Sequence, residues 1–311
     1  MSSRATLHMV AKMHYEANMS QVDIARKLKV STATVSRMLQ RARSVGIVKI
    51  EVADFAHPDE ISDQLVQALG LKRAAIIDTP SSGVLSTLVT PLGSLLRSEG
   101  LTRGSVIGIG WGRAVREVVQ AGLPRIPDVD VVALNGGLQQ SAPHFQTNEF
   151  VRRATEQLGG NAFLLHAPYL SSARLKDAFL DDPSVRDTID LWGRLDCAIV
   201  GIGQRHSPTS SEPSVATSDE TAIDGAVGDV LRHYFDINGT LLPWNGEERM
   251  IAASVDQLRK AKLSIGVAVS VEKARSIIGA ARSGMIGALV TDTMTAQAVL
   301  EVLGQETAGG A

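Results

Sequence analysis

The sequence contains little of what disulfide-linked, membrane-spanning or metal-binding proteins require. Cys197 is the only cysteine, so no intrachain disulfide can form, and the apolar run 197–200 favours a buried structural thiol over a nucleophile. No apolar run reaches the length of a membrane span, and the N-terminus lacks the apolar core of a signal peptide. The seven histidines show no pair at helical metal-ligand spacing. We therefore predict a cytoplasmic protein without a metal site or a cofactor.

Charge is divided unevenly along the chain. Residues 1–50 hold nine Lys and Arg but two acidic residues, whereas the remainder holds 22 basic and 31 acidic residues. The formal net charge of −2 therefore conceals a strongly basic N-terminal part. Basic segments attract the phosphate backbone of nucleic acids. A chain of 311 residues can form one small and one large domain, and the Ala-His-Pro sequence ending at Pro58 places the boundary between residues 1–54 and 55–311.

Two short helical patterns meet at a tight turn within residues 20–46. Ser20 can cap the first helix, Ser31 or Thr32 can cap the second, and Gly46 ends it. Residues 1–17 have helical spacing and would brace the pair as a preceding helix, while 47–52 alternates like a short strand, which suggests a wing or connector. The positions expected to face inward are Leu7, Val10, Ala11, Tyr15, Val22, Ile24, Ala25, Leu28, Val35, Met38, Leu39 and Ala42.

The outward stripe of the second helix has the chemistry of a DNA-reading surface. Arg37 pairs well with guanine, Gln40 pairs with adenine, and small residues let the backbone approach the bases. Hydroxyls at the helix start suit phosphate oxygens, and Arg41, Arg43 and Lys49 can neutralise the DNA backbone. The residues expected to contact DNA are Gln21, Ser31, Thr32, Ala33, Ser36, Arg37, Gln40 and Arg41. The alternative is an ordinary helical hairpin with a solvated basic face, which the charge division disfavours.

Lys29 departs from the usual helix-turn-helix pattern, in which the turn commonly has glycine. A left-handed backbone at this residue would cost of the order of 1 kcal/mol, which a packed domain tolerates. We therefore expect the turn to form with Lys29 in place.

From residue 74 onward, short apolar runs alternate with helical patterns. Such alternation predicts an α/β domain, a doubly wound Rossmann-like fold with a mostly parallel sheet covered on both faces. The predicted strands are Ala74–Ile77, Val106–Ile109, Val129–Leu134, Phe163–Ala167, Cys197–Ile202, Leu263–Ala268 and Ala288–Thr291. The predicted helices are Ile61–Leu69, Leu85–Ser98, Ala114–Ala121, Glu149–Leu158, Val185–Trp192, Val255–Ala261 and Val271–Ala281.

Glycine clusters follow several of these strands, where ligands bind in open parallel sheets. The segment 108–114 leads from a strand into a helix, so its backbone N–H groups can form an anion cradle. Asn135 and Gly136 follow the next strand, Gly201 and Gly203 follow a later one, and 225–229 is another glycine-rich segment. Each cluster taken singly can also serve only its turn. The Ser-, Thr- and Pro-rich segment 204–220 is expected to be a mobile loop, either covering the ligand or lying on the surface.

Taken together, these elements resemble the SorC family of sugar-responsive bacterial transcriptional regulators over nearly the whole chain. The resemblance is carried by residues 21–48, Trp111–Ala114, Ala167–Pro168, 196–203, 225–229, Phe235–Asp236, and 289–292 with Ala296. It implies a DNA-binding domain, an effector domain similar to sugar-phosphate isomerases, and a homo-oligomer, usually a tetramer, bound to double-stranded operator DNA. Because no apolar run reaches the length of a membrane span, we expect no membrane partner.

The resemblance also implies a phosphosugar pocket. Carried over residue by residue, it falls on Gly110, Gly112, Arg113, Ala114, Asn135, Gly136, Asp229 and Lys273, to which the strand-end positions Trp111, Gly201 and Gly203 are added. Ala114 stands where many relatives have a hydroxyl residue. No lysine lies in the Asn135 loop, which argues against a Schiff base with a sugar aldehyde. A polyol or an unphosphorylated sugar is therefore an alternative to a sugar phosphate.

The sequence favours a non-enzymatic regulator, with two rival interpretations. Asp229 and Asp292 could act as general bases in a sugar-phosphate enzyme with a DNA-binding appendage, but no acid-base partner is evident. The other rival is a ligand-free architectural or oligomerisation module in which the glycines only make turns.

Overall fold

The computed structural model describes residues 4–17, 19–48, 58–78, 84–138, 143–204 and 216–309. The chain divides into two compact units, Met1–Phe55 and Ala56–Ala311. Each unit has its own hydrophobic core. Among the described residues, no helix combines the length and the apolar character needed to cross a bilayer.

The N-terminal unit is helical throughout its regular parts. Its elements are α1 (Arg4–Ala11), a π-helical segment (Lys12–Glu16), α2 (Gln21–Leu28) and α3 (Thr32–Ser44). Its two small clusters of buried side chains consist of Val10, Ile24, Ala25, Val35 and Leu39, and of Leu7, Ala11 and Ala42. All of these positions were predicted to face inward, because they recur at three- and four-residue intervals.

Both caps of the helix pair form as the sequence predicts. The Ser20 hydroxyl accepts a hydrogen bond from the Asp23 N–H at 3.1 Å, and the Ser31 hydroxyl accepts one from the Thr34 N–H at 3.2 Å. Ser31, rather than Thr32, caps α3. Lys29 adopts the left-handed conformation, with φ 54° and ψ 42°, in the tight turn between the helices.

Two inward positions were predicted wrongly. Val22 is 54% exposed, because it precedes Ile24 by two residues and so lies about 200° away around the axis of α2. Tyr15 is 42% exposed, because the π-helical segment widens the turn and breaks the four-residue spacing from Ala11. Ile47 and Val48 form no strand, and the rest of the expected wing, together with Lys49, lies outside the described residues.

The C-terminal unit alternates strands and helices. Its strands are β1 (Arg73–Ile77), β2 (Val106–Ile109), β3 (Asp130–Ala133), β4 (Asn161–Phe163), β5 (Cys197–Gly201), β6 (Gly203–Gln204), β7 (Gly228–Val230), β8 (His233–Phe235), β9 (Leu241–Leu242), β10 (Leu263–Val267) and β11 (Ala288–Asp292). Its α-helices are α4 (Pro58–Leu69), α5 (Val84–Thr87), α6 (Val89–Ser98), α7 (Arg113–Ala121), α8 (Thr147–Leu158), α9 (Ala173–Asp181), α10 (Pro183–Asp190), α11 (Ser218–Thr221), α12 (Val255–Lys260), α13 (Ala274–Arg282) and α14 (Thr293–Gly309). Short 3₁₀ turns occupy Pro143–Phe145, Leu191–Arg194, Glu247–Arg249 and Val271–Lys273.

Seven strands form one parallel sheet in the order β1-β11-β10-β5-β2-β3-β4. This arrangement confirms the predicted α/β fold. All residues of β2, β10 and β11 are buried, as expected for central strands covered by helices on both faces. The chain runs from β2 through β3 to β4 and then returns to β5 on the other side of β2. The topological switch point, where such sheets bind ligands, therefore lies between β2 and β5.

The sequence did not predict the second sheet. Strands β6, β7, β8 and β9 pair antiparallel in that order, and they are only two or three residues long, too short for a periodic signal. Helices α9 and α14 were missed as well. The strand predicted at Phe163–Ala167 was placed too late, because β4 begins at the exposed Asn161. Of the expected loop 204–220, Gln204 lies in β6 and residues 218–220 in α11, while 205–215 lie outside the described residues.

Replacing Lys29 with glycine should stabilise the N-terminal unit by about 1 kcal/mol, because glycine adopts a left-handed backbone without a steric penalty. Amide hydrogen exchange of residues 21–43 in the full-length protein measures this local stability. Lys29→Ala is the matched control, since alanine removes the long side chain but keeps the penalty. Equal protection in both variants would contradict the explanation.

Cys197 should not react with thiol reagents in the folded protein. Its side chain is fully buried at the start of β5, and burial raises the pKa of the thiol well above its ordinary value. The test is the absorbance of the coloured thiolate that an aromatic disulfide reagent releases when it reacts with a thiol at pH 8. The folded protein should give no signal, and the protein in guanidinium should give one reacted thiol per chain. Rapid reaction without denaturant would show that the thiol is accessible.

Candidate functional site

The loop from β2 to α7 lies at the switch point. The Gly110 N–H donates to the Ile199 carbonyl at 2.9 Å, and the Gly112 N–H donates to the His144 carbonyl at 3.0 Å. These two N–H groups therefore already have partners inside the protein, so the expected anion cradle would depend on the other N–H groups of 108–114. Gly112, at φ 126°, is the N-cap residue of α7 and provides no side-chain cap. The positive end of the α7 dipole therefore points at this loop without a capping side chain.

The loop after β5 approaches the loop after β2 with no room for side chains. A Cβ atom added to Gly201 would lie 3.0 Å from the Trp111 carbonyl oxygen, and one added to Gly203 would collide with the Asp229 carboxylate. Lys273 reaches the same place, since its Nζ donates to the Ile202 carbonyl at 2.7 Å. The glycines therefore serve close packing of the backbone, and the polar side chains beside them become the candidate ligands.

The loop after β3 contains a buried amide with an unused acceptor. Asn135 is 1% exposed, and its Nδ2 donates to the Gly136 carbonyl at 3.0 Å and to the Thr147 hydroxyl at 2.9 Å. Within the described residues, its Oδ1 has no hydrogen-bond partner. A Cβ atom on Gly136 would lie 2.6 Å from the backbone of Pro168, so the loop is closely packed. A buried acceptor without a donor is unfavourable, and a hydroxyl group could supply the donor.

A buried ion pair connects the antiparallel sheet to this site. Arg232 is 4% exposed, and its Nη1 lies 3.4 Å from Glu220 Oε1 and 3.1 Å from the Tyr234 hydroxyl. Its guanidinium carbon lies 5.6 Å from the centre of the Trp111 ring, within the range of a cation–π interaction. The Arg232 N–H donates to Asp229 Oδ2 at 2.9 Å. One residue thus contacts two carboxylates, a phenol and an indole.

Scarce aromatic residues surround this pair. Trp111 packs edge to face against Tyr169, with ring centres 4.8 Å apart, and against Phe145 at 5.6 Å. Tyr234 packs against Trp244 at 6.4 Å. The whole chain has only three tryptophans and three tyrosines. Two of each, Trp111, Trp244, Tyr169 and Tyr234, therefore lie around this one ion pair.

The charges of the cluster are balanced locally. Burial alone would lower the pKa of Arg232, but Asp229, Tyr234 and Glu220 outweigh it and raise that pKa, so the guanidinium stays charged. Burial, reinforced by Glu220 and Asp229, raises the pKa values of Tyr169 and Tyr234. Both phenols therefore remain neutral, and the Tyr234 hydroxyl donates to Glu220 at 3.0 Å.

All the predicted effector positions lie at one end of the parallel sheet. Those positions are Gly110, Trp111, Gly112, Arg113, Ala114, Asn135, Gly136, Gly201, Gly203, Asp229 and Lys273. Sequence reasoning missed Tyr169, Glu220, Arg232 and Tyr234. The one available signal was an arginine inside the β-forming run 230–235, where a charge is unexpected. Among the described residues, no three His, Cys, Asp or Glu side chains come together to hold a metal ion.

The second candidate surface lies on α3. Its predicted stripe of Ala33, Ser36, Arg37 and Gln40 is exposed, as are Ser31, Thr32 and Arg41. Gln21, at the start of α2, is half-buried. The Arg37 Nε donates to the Ala33 carbonyl at 3.4 Å, which lays the side chain along the helix surface. The opposite face of α3 packs in the core through Val35, Leu39 and Ala42.

The chain is similar to a family of domains and to several full-length regulators. A family of sugar-binding domains matches residues 53–301. The chain is similar to the sorbitol operon regulator of Klebsiella pneumoniae, at 30% identity over 94% of this chain and 96% of that protein. The crystal structure of that full-length regulator, SorC, superimposes on this chain with a TM-score of 0.71. The alignment covers 95% of this chain and 98% of the regulator's chain.

Two further relatives extend this picture. The deoxyribonucleoside regulator of Bacillus subtilis is 28% identical over 94% of this chain and 96% of its own length. The erythritol catabolism regulatory protein of Brucella abortus is 28% identical, over 93% of this chain and 94% of its own.

Residues 53–301, which make up most of the larger unit, therefore belong to this family of sugar-binding domains. The chain as a whole belongs to the SorC family of transcriptional regulators. This assignment confirms the resemblance found in the sequence.

Proposed function

We propose that this protein is a transcriptional regulator of a carbohydrate-use operon. It binds operator DNA through α3, and a small sugar-derived effector bound at the carboxyl ends of β2, β3 and β5 changes its DNA affinity. The observation that supports the effector site most strongly is the switch point between β2 and β5. Asn135, Asp229 and Lys273 lie near it, at the carboxyl end of the parallel sheet. The relatives named above are regulators, which supports regulation over catalysis.

The exposed stripe of α3 supports DNA recognition. Arg37 and Gln40 can hydrogen-bond to base edges, while Ala33 and Ser36 allow close approach to the major groove. The net positive charge of residues 1–50 adds attraction to phosphates. In a homo-oligomer, proposed to be a tetramer as implied by the family, two such helices would meet half-sites separated by about one helical turn or a multiple of it.

The donor and acceptor inventory of the site bears on the effector class. Asn135 Oδ1 and the Asp229 carboxylate are acceptors, which match the hydroxyl groups of a sugar or polyol. Arg113, Lys273 and the positive end of α7 could hold a phosphate. The effector is therefore a hydroxyl-rich compound, either a sugar phosphate or an unphosphorylated polyol or sugar. The use of the Gly110 and Gly112 N–H groups inside the protein favours the unphosphorylated class.

An enzyme of sugar-phosphate metabolism is the rival function. Its candidate bases have structural uses: Asp229 accepts the Arg232 N–H at 2.9 Å, and Asp292 accepts the Thr295 N–H at 2.7 Å at the start of α14. The carboxylates therefore have explanations that do not involve proton transfer from a substrate.

Fluorescence anisotropy on DNA from upstream of the protein's own gene tests the proposal. The titration is made with and without a panel of sugar phosphates, polyols and free sugars. Specific binding that changes with one class of compound is the expected result, and it would also choose between the phosphate and polyol alternatives. Binding without preference over random DNA, unaffected by every compound, would contradict the proposal.

Replacing Arg37 with alanine should weaken specific binding by about 1 to 3 kcal/mol and relax base preference at one position. Arg41→Ala is the matched comparison, because the same side chain one turn later is expected to contact only phosphate and so to weaken all sequences alike. Anisotropy with operator, single-base variants and random DNA separates the two effects. If both variants weakened specific and random DNA equally, the assignment of the recognition surface would be wrong.

Replacing Asp229 with asparagine should weaken effector binding by about tenfold or more, because a charged acceptor for hydroxyl groups is lost. Operator affinity in the absence of effector should be retained. Asp292→Asn is the control, since that carboxylate belongs to the last residue of β11, two strands away from β5. Calorimetry gives the effector dissociation constants of both variants. An equal loss of effector affinity in the two variants would show that Asp229 does not contact the effector.

A further inference from the structure

The hairpin between β7 and β8 has an unusual backbone. Val230 pairs with His233, so the turn consists of Leu231 and Arg232 alone. Both have positive φ angles, 51° and 68°. This conformation belongs to two-residue turns that normally contain glycine, asparagine or aspartate, because a larger side chain is sterically unfavourable there. Strained backbone of this kind persists where the surrounding contacts require the side chain.

The side chains at the hairpin tip both contact the loop from β2 to α7. Leu231 packs so closely on Gly110 that its Cδ2 lies 2.8 Å from where a Cβ atom would be. The Arg232 guanidinium lies over Trp111, the next residue of the same loop. The two strained residues of the hairpin tip, Leu231 and Arg232, thus contact two consecutive residues of the β2–α7 loop, Gly110 and Trp111.

Arg232 is also fixed from its other side. Glu220 accepts from the Tyr234 hydroxyl at 3.0 Å and from the Thr217 N–H at 2.6 Å, and it faces the guanidinium at 3.4 Å. The Glu220 side chain is only 1% exposed. The guanidinium is therefore held between a fixed carboxylate and the indole ring. Its position over Trp111 is therefore set by Glu220 of α11 and by the β7–β8 hairpin.

We propose that Arg232 is a positioning residue of the effector site. Through Trp111 it holds the loop 110–112, and hence the start of α7, in the arrangement that binds the effector. Glu220 is its partner in this role. The inference rests on the proposed function, since it concerns the same site. Binding is tighter when a loop is ordered beforehand, because less conformational entropy is lost on association.

The test must avoid leaving a lone buried charge. Removing one member of a buried ion pair is strongly destabilising, whereas replacing both by neutral residues of similar size is tolerated. The double variant E220Q/R232M therefore removes the pair as a unit. The matched control is R282M/E306Q, which removes the partly exposed Arg282–Glu306 pair, 2.8 Å apart, from the same unit of the chain.

Three measurements are made on the full-length proteins: the dissociation constant of the compound to which the wild type responds in the panel, operator affinity without that compound, and thermal unfolding. For E220Q/R232M we expect effector affinity to fall about tenfold, with operator affinity unchanged and Tm within a few degrees of the control. R232K keeps the charge above the ring and should recover part of the loss. An effector dissociation constant within twofold of the wild type would overturn the inference and leave the proposed function intact.

A second readout requires no effector. Acrylamide quenching of Trp111 is obtained as the difference between each protein and its W111F counterpart. Quenching should increase in E220Q/R232M and stay unchanged in R282M/E306Q. Unchanged quenching in E220Q/R232M would overturn the positioning role, even if no compound of the panel binds and the proposed function itself fails. If E220Q/R232M does not fold, R232K is compared in the same way and should show smaller changes in the same directions, while wild-type values would overturn the role.

Discussion

Polar groups buried at the carboxyl end of the parallel sheet need partners inside the protein, and this requirement shapes the larger unit. Helices cover the faces of the sheet, but the loops after β2, β3 and β5 leave the sheet where water has little access. Several of their backbone N–H groups have partners elsewhere in the unit, as in the hydrogen bonds from Gly110 to the Ile199 carbonyl and from Gly112 to the His144 carbonyl. Asn135 Oδ1 is the exception among these loops, because it has no partner within the described residues. A buried acceptor without a donor at this end of the sheet is a place where a ligand hydroxyl could complete the hydrogen bonding.

The small antiparallel sheet supplies the side chains that the loops cannot carry. A Cβ atom on Gly201 would lie 3.0 Å from the Trp111 carbonyl oxygen, and one on Gly203 would meet the Asp229 carboxylate. The loop after β5 therefore contributes mainly backbone. Asp229 and Arg232 come instead from β7 and its hairpin, and they place charge beside the loops. The candidate polar groups therefore come from both sheets, with Asn135 and Lys273 in loops of the parallel sheet and Asp229 in the antiparallel one.

Much of this organisation was accessible from the sequence, because it depends on local patterns. The caps at Ser20 and Ser31, the left-handed Lys29, and the strands β2, β5 and β10 follow from spacing and from apolar runs. The buried pair of Arg232 and Glu220 was not accessible, since its members lie 12 positions apart in irregular sequence and only tertiary packing brings them together. Strands of two or three residues carry no periodicity, so β6 to β9 escaped prediction. The π-helical segment Lys12–Glu16 shows the same limit, because it changed a helical face without a signal in composition.

In the proposed regulator, the effector site and the DNA-binding surface are energetically coupled. Linkage requires the coupling to be reciprocal for equilibrium binding. The most direct measurement is the operator dissociation constant with and without saturating effector, together with the effector dissociation constant with and without saturating operator. The account predicts that the two ratios are equal and differ from one by about fivefold or more. An effector that binds at Asn135 and Asp229 while leaving both ratios at one would contradict it.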